Sequence, residues 1–148
     1  MQNNTELQRE ADEAVRVMKA GGIILYPTDT VWGLGCDATN AEAVERIYKL
    51  KRSENKKSML MLCASADMVV RYVNKAPGIA FEVMELATSP LTAILPGAAG
   101  VAENLIPEER TLGVRIPDHE FCRRILRGLG RPVVSTSANI SGEATPAG

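Results

Sequence analysis

Side chains that can bind an anionic small molecule occur in three clusters and one basic segment of this 148-residue chain. Hydroxyl and amide groups are concentrated at Thr28 to Thr30 and at Ser135 to Asn139, and the stretch from Thr111 ends in Arg115. The segment from Lys49 to Lys57 holds five cations and one carboxylate. Hydroxyl and backbone N–H groups can cradle phosphates, and an arginine can bind a carboxylate through two hydrogen bonds. Together these residues predict a site for an anionic substrate.

Each cluster taken alone also has a simpler structural interpretation. Cations at the end of a helix suit its dipole, and a run of serine and threonine suits an ordinary turn. The chain has no Walker A, GxGxxG, HExxH or GxSxG motif, so P-loop, Rossmann, zincin and α/β-hydrolase functions lack support. No side chain stands out as a nucleophile with its base, which favours chemistry by positioning and charge stabilisation.

Short apolar strands bring these clusters to one place in the predicted fold. The strands are expected at Ile23 to Tyr26, Met59 to Cys63, Leu91 to Leu95 and Thr111 to Ile116, with a last strand that begins at Pro132 to Val134. Helical patterns alternate with them, which predicts an α/β domain around one twisted sheet. Ligands of such sheets commonly bind beyond the strand ends, where the polar clusters fall.

Helix boundaries and faces follow from caps and periodicity. Capping-box spacing at Thr5 to Gln8 and at Thr39 to Glu42 predicts the first two helix starts. The first helix should bury Leu7, Ala11, Ala14, Val15 and Met18 and end at Gly21-Gly22. A later helix after Pro77 should turn Ile79, Ala80, Val83, Met84 and Ala87 inward. Residues 96–110 lack periodicity and are expected to form a mobile flap.

Composition restricts the class of protein. A chain of 148 residues fits one domain, and 45% hydrophobic with 24% charged residues is ordinary for a globular protein. The net charge of -1 gives no field that favours nucleic acid. Three cysteines without a CxxC pair and one histidine make a cysteine–histidine metal site improbable and suit a reducing cytoplasm. Without an apolar run of transmembrane length, a soluble cytoplasmic protein is expected.

Four motifs in register resemble those of one known family. Residues 26–38, YPTDTVWGLGCDA, resemble the signature of the YrdC-domain family, the threonylcarbamoyl-AMP synthases. Lys51 begins a segment similar to that family's KxR, Thr111 to Pro117 resembles its TVAVRxP strand, and Ser137 to Gly142 resembles its SAN-x-SG motif. The order and spacing fit from about Ala14 onward.

The resemblance implies a single YrdC-like domain over residues 1–148, with a mixed sheet flanked by helices as in YrdC and RibB-like folds. It implies a nucleotidyltransferase that joins L-threonine, bicarbonate or CO2, and ATP with Mg2+, and releases pyrophosphate. The product would supply the t6A modification of tRNA through downstream transferring proteins. By position, the threonine contacts would be Thr30, Arg115 and Ser135. The ATP contacts would be Lys51, Arg52, Ser53, Lys57, Thr111, Ser137, Asn139 and Thr145.

Departures from the family pattern leave alternatives open. Ser53 stands where the family usually has arginine, although Arg52 is adjacent, and the chain stops soon after Thr145, where relatives continue. Looser motifs also characterise the YciO-type paralogues, whose substrate is unknown. A double-stranded RNA-binding module is the other alternative, because the same cations would contact RNA phosphates. Trp32 is expected to form a wall of the ligand pocket, and no metal ligand is assigned.

Overall fold

Six strands form one mixed β-sheet with helices on both faces, in a computed structural model that describes residues 3–27, 32–53, 55–87 and 91–138. The strands are β1 (Ile24–Pro27), β2 (Trp32–Asp37), β3 (Leu60–Leu62), β4 (Thr92–Pro96), β5 (Thr111–Arg115) and β6 (Val133–Ser137). The helices are α1 (Asn4–Lys19), α2 (Ala41–Lys51), α3 (Ala66–Tyr72), α4 (Gly78–Leu86) and α5 (Glu120–Leu129). Short 3-10 helices occur at Lys56–Ser58 and Glu103–Leu105.

The strands lie in the order β1-β2-β6-β3-β5-β4. The pair β3–β5 is parallel, and the other four neighbouring pairs are antiparallel. This confirms the predicted α/β class, with one mixed sheet flanked by helices. Within the described ranges, no helix is long and apolar enough to cross a membrane.

The two faces of the sheet differ in what covers them. Directly paired residues point to the same face, and successive residues of a strand alternate. We call the face that carries Thr111, Arg115, Ser135 and Ser137 the front face, and the other the back face. On the front, α1 and α5 pack in one apolar cluster with strand residues Ile24, Tyr26, Leu62 and Val133. The larger core, which includes α2, lies on the back against Met61, Val114 and Val134.

Helices α1 and α2 begin at asparagines rather than at the predicted threonines. Asn3 Oδ1 accepts a hydrogen bond of 2.8 Å from the Glu6 backbone N–H, so Thr5 already lies inside α1. Asn40 Oδ1 likewise accepts from the Ala43 N–H at 3.0 Å. Thr39 instead donates its hydroxyl to Asp37 at 2.7 Å. Asparagine is at least as good an N-cap as threonine, which is why the prediction missed the starts by one or two residues.

The segment after β4 is part of the core, so the prediction of a mobile flap at residues 96–110 is wrong. Ala98 and Leu105 are 1% and 0% exposed, and the Ala102 N–H donates to the Ala38 carbonyl at 2.8 Å. The Tyr48 hydroxyl donates to the Asn104 carbonyl at 2.9 Å, which ties this segment to α2. Residues 98–106 therefore belong to the core on the back of the sheet.

Candidate active site on the front face of the sheet

Register places four predicted ligand contacts on one surface. Ser135 pairs with Gly35 on one side and Leu60 on the other, and Leu60 pairs in turn with Gly113. Thr111 and Arg115 lie two residues to either side of Gly113, and Ser137 lies two residues beyond Ser135. Strand geometry separates Thr111 from Arg115 by about 13 Å along β5, and β5 from β6 by about 10 Å across β3. This surface has the dimensions of a small-molecule site.

Gly35 and Gly113 let neighbouring side chains pack directly against the sheet. A Cβ atom added at Gly113 would lie 3.0 Å from Leu60 Cδ2. One added at Gly35 would lie 3.0 Å from the Val134 carbonyl oxygen and 3.2 Å from Tyr26 Cε1. Leu60 and Tyr26 therefore pack so closely over these glycines that a side chain at either position would push against them.

Arg115 is held by a neighbouring strand through only part of its guanidinium group, as far as the described residues show. Its Nε and Nη2 atoms both donate to Thr92 Oγ1, at 3.0 and 2.6 Å. Thr92 is the direct cross-strand partner of Arg115 on β4. Among the described residues, no carboxylate forms an ion pair with Arg115. A half-buried guanidinium of this kind favours a carboxylate or phosphate ligand.

Ser135 is bonded to a buried tyrosine. Its Oγ atom lies 2.5 Å from the hydroxyl of Tyr26, which is 2% exposed. Burial raises the pKa of Tyr26 to about 12, so the phenol is neutral near pH 7. The Tyr26 ring also lies beside Phe121, with 6.0 Å between ring centroids. Ser135 therefore has a fixed position at the boundary between the apolar cluster and the half-buried front face.

Lys51 differs from the other predicted contacts because it lies behind the sheet. Its Nζ atom donates to Thr136 Oγ1 at 2.5 Å, and that hydroxyl donates to the Ser58 carbonyl at 3.0 Å. Thr136 alternates with Ser135 and Ser137, so its side chain belongs to the back face. Lys51 is 5% exposed, and burial lowers the pKa of its ammonium group. Lys51 thus ties the end of α2 to β6.

The residues after Lys51 lead toward the Thr111 end of the front face. Arg52 is exposed and caps α2 in the left-handed region, with φ of 55°. Ser53 Oγ accepts from the Asn55 N–H at 3.2 Å, and Lys56 Nζ donates to the Ile106 carbonyl at 3.1 Å. Lys57 lies in the 3-10 helix that follows, and its side chain is outside the described part of the chain.

A cavity of about 400 Å³ opens at this end of the front face. Its lining includes Lys56, Leu60, Ile94, Glu109, Thr111 and Gly113. Ile94 is 67% exposed, so the cavity has an apolar wall that no described residue covers. Apolar walls with a few polar groups are typical of small-molecule sites.

Other predicted contacts stay untested by this geometry. Thr30, Asn139 and Thr145 lie outside the described residues.

The register turns Trp32 to the face opposite Ser137, which gives no support to its expected role as a wall of this site. In the described part of the chain, no group of three His, Cys, Asp or Glu side chains could hold a metal ion.

The structure adds two residues that the sequence did not single out, Tyr26 and Thr92. Both contact a predicted ligand residue through a hydroxyl group. Tyr26 and Ser135 are 109 positions apart in the chain, and Thr92 and Arg115 are 23 apart. A single sequence carries no signal for such pairings, because they depend on strand order.

A family model described as Telomere recombination, which carries the names Sua5, YciO and YrdC, matches residues 16–147. The threonylcarbamoyl-AMP synthase of Pseudoalteromonas translucida is 33% identical over 135 residues, which cover 89% of this chain and 72% of that relative. The threonylcarbamoyl-AMP synthase of Idiomarina loihiensis is 38% identical over 125 residues, which cover 82% of this chain and 67% of that relative.

Two solved structures share the fold over most of the chain. Escherichia coli YciO gives a TM-score of 0.78 at 30% identity, covering 92% of this chain and 66% of YciO. P. abyssi Sua5 complexed with L-threonine gives a TM-score of 0.83 at 28% identity, covering 94% of this chain and 41% of Sua5. The chain therefore spans about two thirds of YciO and less than half of Sua5.

Proposed function

The chain belongs to the Sua5/YciO/YrdC family, and from that premise we propose that it is an L-threonylcarbamoyladenylate synthase. It joins L-threonine, bicarbonate or CO2, and ATP, and it releases pyrophosphate. Its product supplies the t6A modification of tRNA through downstream transferring proteins. The names of the curated relatives and the L-threonine in the Sua5 complex support this proposal.

The observation that carries the proposal is the shared surface of Arg115, Ser135, Ser137 and Thr111. Arg115 has no carboxylate partner among the described residues, and Thr92 holds its Nε and Nη2 atoms from one side. The remaining guanidinium donors suit the carboxylate of an amino acid. We assign the threonine subsite to Arg115 and Ser135, together with Thr30, which lies outside the described residues.

The ATP subsite is assigned to the other end of the surface. Thr111 borders the cavity of about 400 Å³, and Lys56 lies on the same lining. The positions matched to the family motifs add Arg52, Ser53, Lys57, Ser137, Asn139 and Thr145. Lys51 lies on the back face of the sheet, where its hydrogen bond to Thr136 fixes the segment that carries these cations. Magnesium enters as part of the MgATP substrate, because Mg2+ usually binds nucleotides through phosphate oxygens and water.

The reaction proceeds by positioning rather than through a covalent enzyme intermediate. Bicarbonate takes up a proton and loses water to give CO2. The threonine amine then forms an N–C bond with CO2 and loses a proton, which gives a carbamate. A carbamate oxygen then attacks the α-phosphorus, and the bond to pyrophosphate breaks in line. Arg115 holds the carboxylate end of the amino acid, while cations near Thr111 stabilise charge on the leaving group. Alignment of two bound reactants can supply a large share of such a rate enhancement.

The test is pyrophosphate release by the 148-residue chain with MgATP, bicarbonate and L-threonine. Release that requires L-threonine supports the synthase, with omission of threonine as the control. ATP turnover that does not depend on threonine would instead favour a paralogue that acts on another substrate. Salt-sensitive binding of double-stranded RNA without turnover would favour the RNA-binding alternative.

A further inference from the structure

The surroundings of Tyr26 and Ser135 determine which of the two hydroxyl groups donates the hydrogen bond between them. The two hydroxyl oxygens are 2.5 Å apart, so one of them donates to the other. If Ser135 donated, the phenol proton of Tyr26 would need another acceptor inside the apolar cluster to which this tyrosine belongs. A buried donor without an acceptor is costly. A phenol is also the more acidic group and hence the better donor.

Donation by Tyr26 to Ser135 leaves both hydroxyl groups with a suitable hydrogen-bond arrangement. When Tyr26 donates to Ser135 Oγ, the Ser135 proton is free to point away from the apolar cluster. Ser135 is half-buried at that point, on the surface that carries Arg115. Burial raises the pKa of Tyr26 to about 12, so the phenol keeps the proton that this bond needs well above neutral pH. The bond therefore fixes the Ser135 hydroxyl as a donor toward the front face.

We infer that Tyr26 is a positioning residue that makes Ser135 a directed hydrogen-bond donor to an acceptor oxygen of the bound amino acid. This inference rests on the proposed function, since it assigns Ser135 to the threonine subsite. Tyr26 itself does not touch the substrate. Its effect is confined to the amino-acid end of the surface, away from the cavity beside Thr111.

The test compares Tyr26→Phe with wild type in L-threonine binding by calorimetry and in steady-state kinetics. Loss of one directing hydrogen bond should weaken threonine binding and raise its KM by about fivefold, with the KM for ATP within about twofold of wild type. In a Ser135→Ala background, adding Tyr26→Phe should produce no further change. A purely structural role would give additive effects and would change both KM values.

Tyr48→Phe is the matched control. Tyr48 is 4% exposed, and its hydroxyl donates to the Asn104 carbonyl on the back of the sheet. Both variants lose one buried hydroxyl, and only Tyr26→Phe should alter threonine affinity. Equal threonine affinity in Tyr26→Phe and wild type overturns the inference. Threonine binding without pyrophosphate release overturns the proposed activity alone, and no threonine binding by wild type overturns both.

Discussion

The ammonium group of Lys51 lies 2.5 Å from the hydroxyl oxygen of Thr136, on the face of the sheet opposite Ser135 and Ser137. This contact joins the end of α2 to the strand that carries two proposed ligand contacts. Because Thr136 also donates to the Ser58 carbonyl, it fixes the start of β3 as well. The cationic segment between Lys51 and Ser58 is thus anchored at both ends.

Removing the Thr136 hydroxyl alone should lower the stability of the protein more than replacing Thr136 and Lys51 together by apolar residues. Thr136→Val leaves the buried ammonium group of Lys51 without its acceptor, so we expect the free energy of unfolding to fall by about 1–3 kcal/mol in urea titrations. The double variant with Lys51→Met replaces both groups by apolar ones and should recover part of that loss. A double variant less stable than Thr136→Val would contradict this account of the contact.

Arg115→Ala should raise the KM for L-threonine much more than that for ATP. Loss of charge-assisted hydrogen bonds to a carboxylate predicts an increase of about tenfold to a hundredfold for threonine. Arg115→Lys should not restore affinity, because a lysine lacks the planar fork of donors. Initial rates of pyrophosphate release at varied threonine and at varied ATP separate the two constants. Equal increases in the KM for threonine and the KM for ATP would contradict the assignment of Arg115 to the threonine subsite.

Thr92 should control Arg115 through its hydroxyl. Thr92→Val removes the acceptor of two guanidinium hydrogen bonds, so we expect a several-fold increase in threonine KM that is smaller than that of Arg115→Ala. Thr92→Ser retains the hydroxyl and serves as the control, with kinetics near those of wild type. Identical kinetics of the valine and serine variants would show that the contact does not orient Arg115.

The lack of a side chain at Gly113 should determine how much space the cavity beside Thr111 offers to the nucleotide. A Cβ at this position would lie 3.0 Å from Leu60 Cδ2, within the lining of the cavity. Gly113→Ala should therefore raise the KM for ATP while leaving that for threonine near wild type. Gly78→Ala adds a methyl group in open space at the start of α4 and is the matched control. Unchanged ATP kinetics in Gly113→Ala would place the nucleotide elsewhere.

The parts of the fold that follow local rules were predictable from the sequence. Ala11, Ala14, Val15 and Met18 are buried as the helical period of α1 predicts, and β3 lies within the apolar run from Met59 to Cys63. Both features depend on neighbours a few residues away. The clustering of hydroxyl groups and Arg115 was likewise visible as pattern, and the sheet brings Thr111, Arg115, Ser135 and Ser137 to one face while Thr136 belongs to the other.

The parts that depend on tertiary context were not predictable. Ile79 and Val83 were expected to face the core, but they are 64% and 49% exposed, while Met84 is buried. Helix α4 is apolar on several sides, so periodicity could not identify its buried face. Ala98, Val101, Ala102, Leu105 and Ile106 are buried in a segment that forms neither an α-helix nor a strand, so the prediction of helices and strands could not place them in the core. Lys51 lies on the back face because it donates to Thr136, whose side chain points away from those of Ser135 and Ser137 on β6. The sequence of a positively charged segment gives no information about that contact.

Stability at high pH should depend on the buried thiol of Cys63. Burial raises the pKa of this group from 9.0 to about 12. The unfolded chain ionises first, so the stabilisation is fully present below pH 9 and is lost as the pH rises toward 12. Urea unfolding at pH 8, 9 and 10 should show a slope that Cys63→Ala flattens, by at most about 1.4 kcal/mol per pH unit. Val114→Ala, a buried control without an ionisable group, should lower stability equally at each pH. If Cys63→Ala and Val114→Ala have the same pH dependence, the thiol does not titrate as its burial requires.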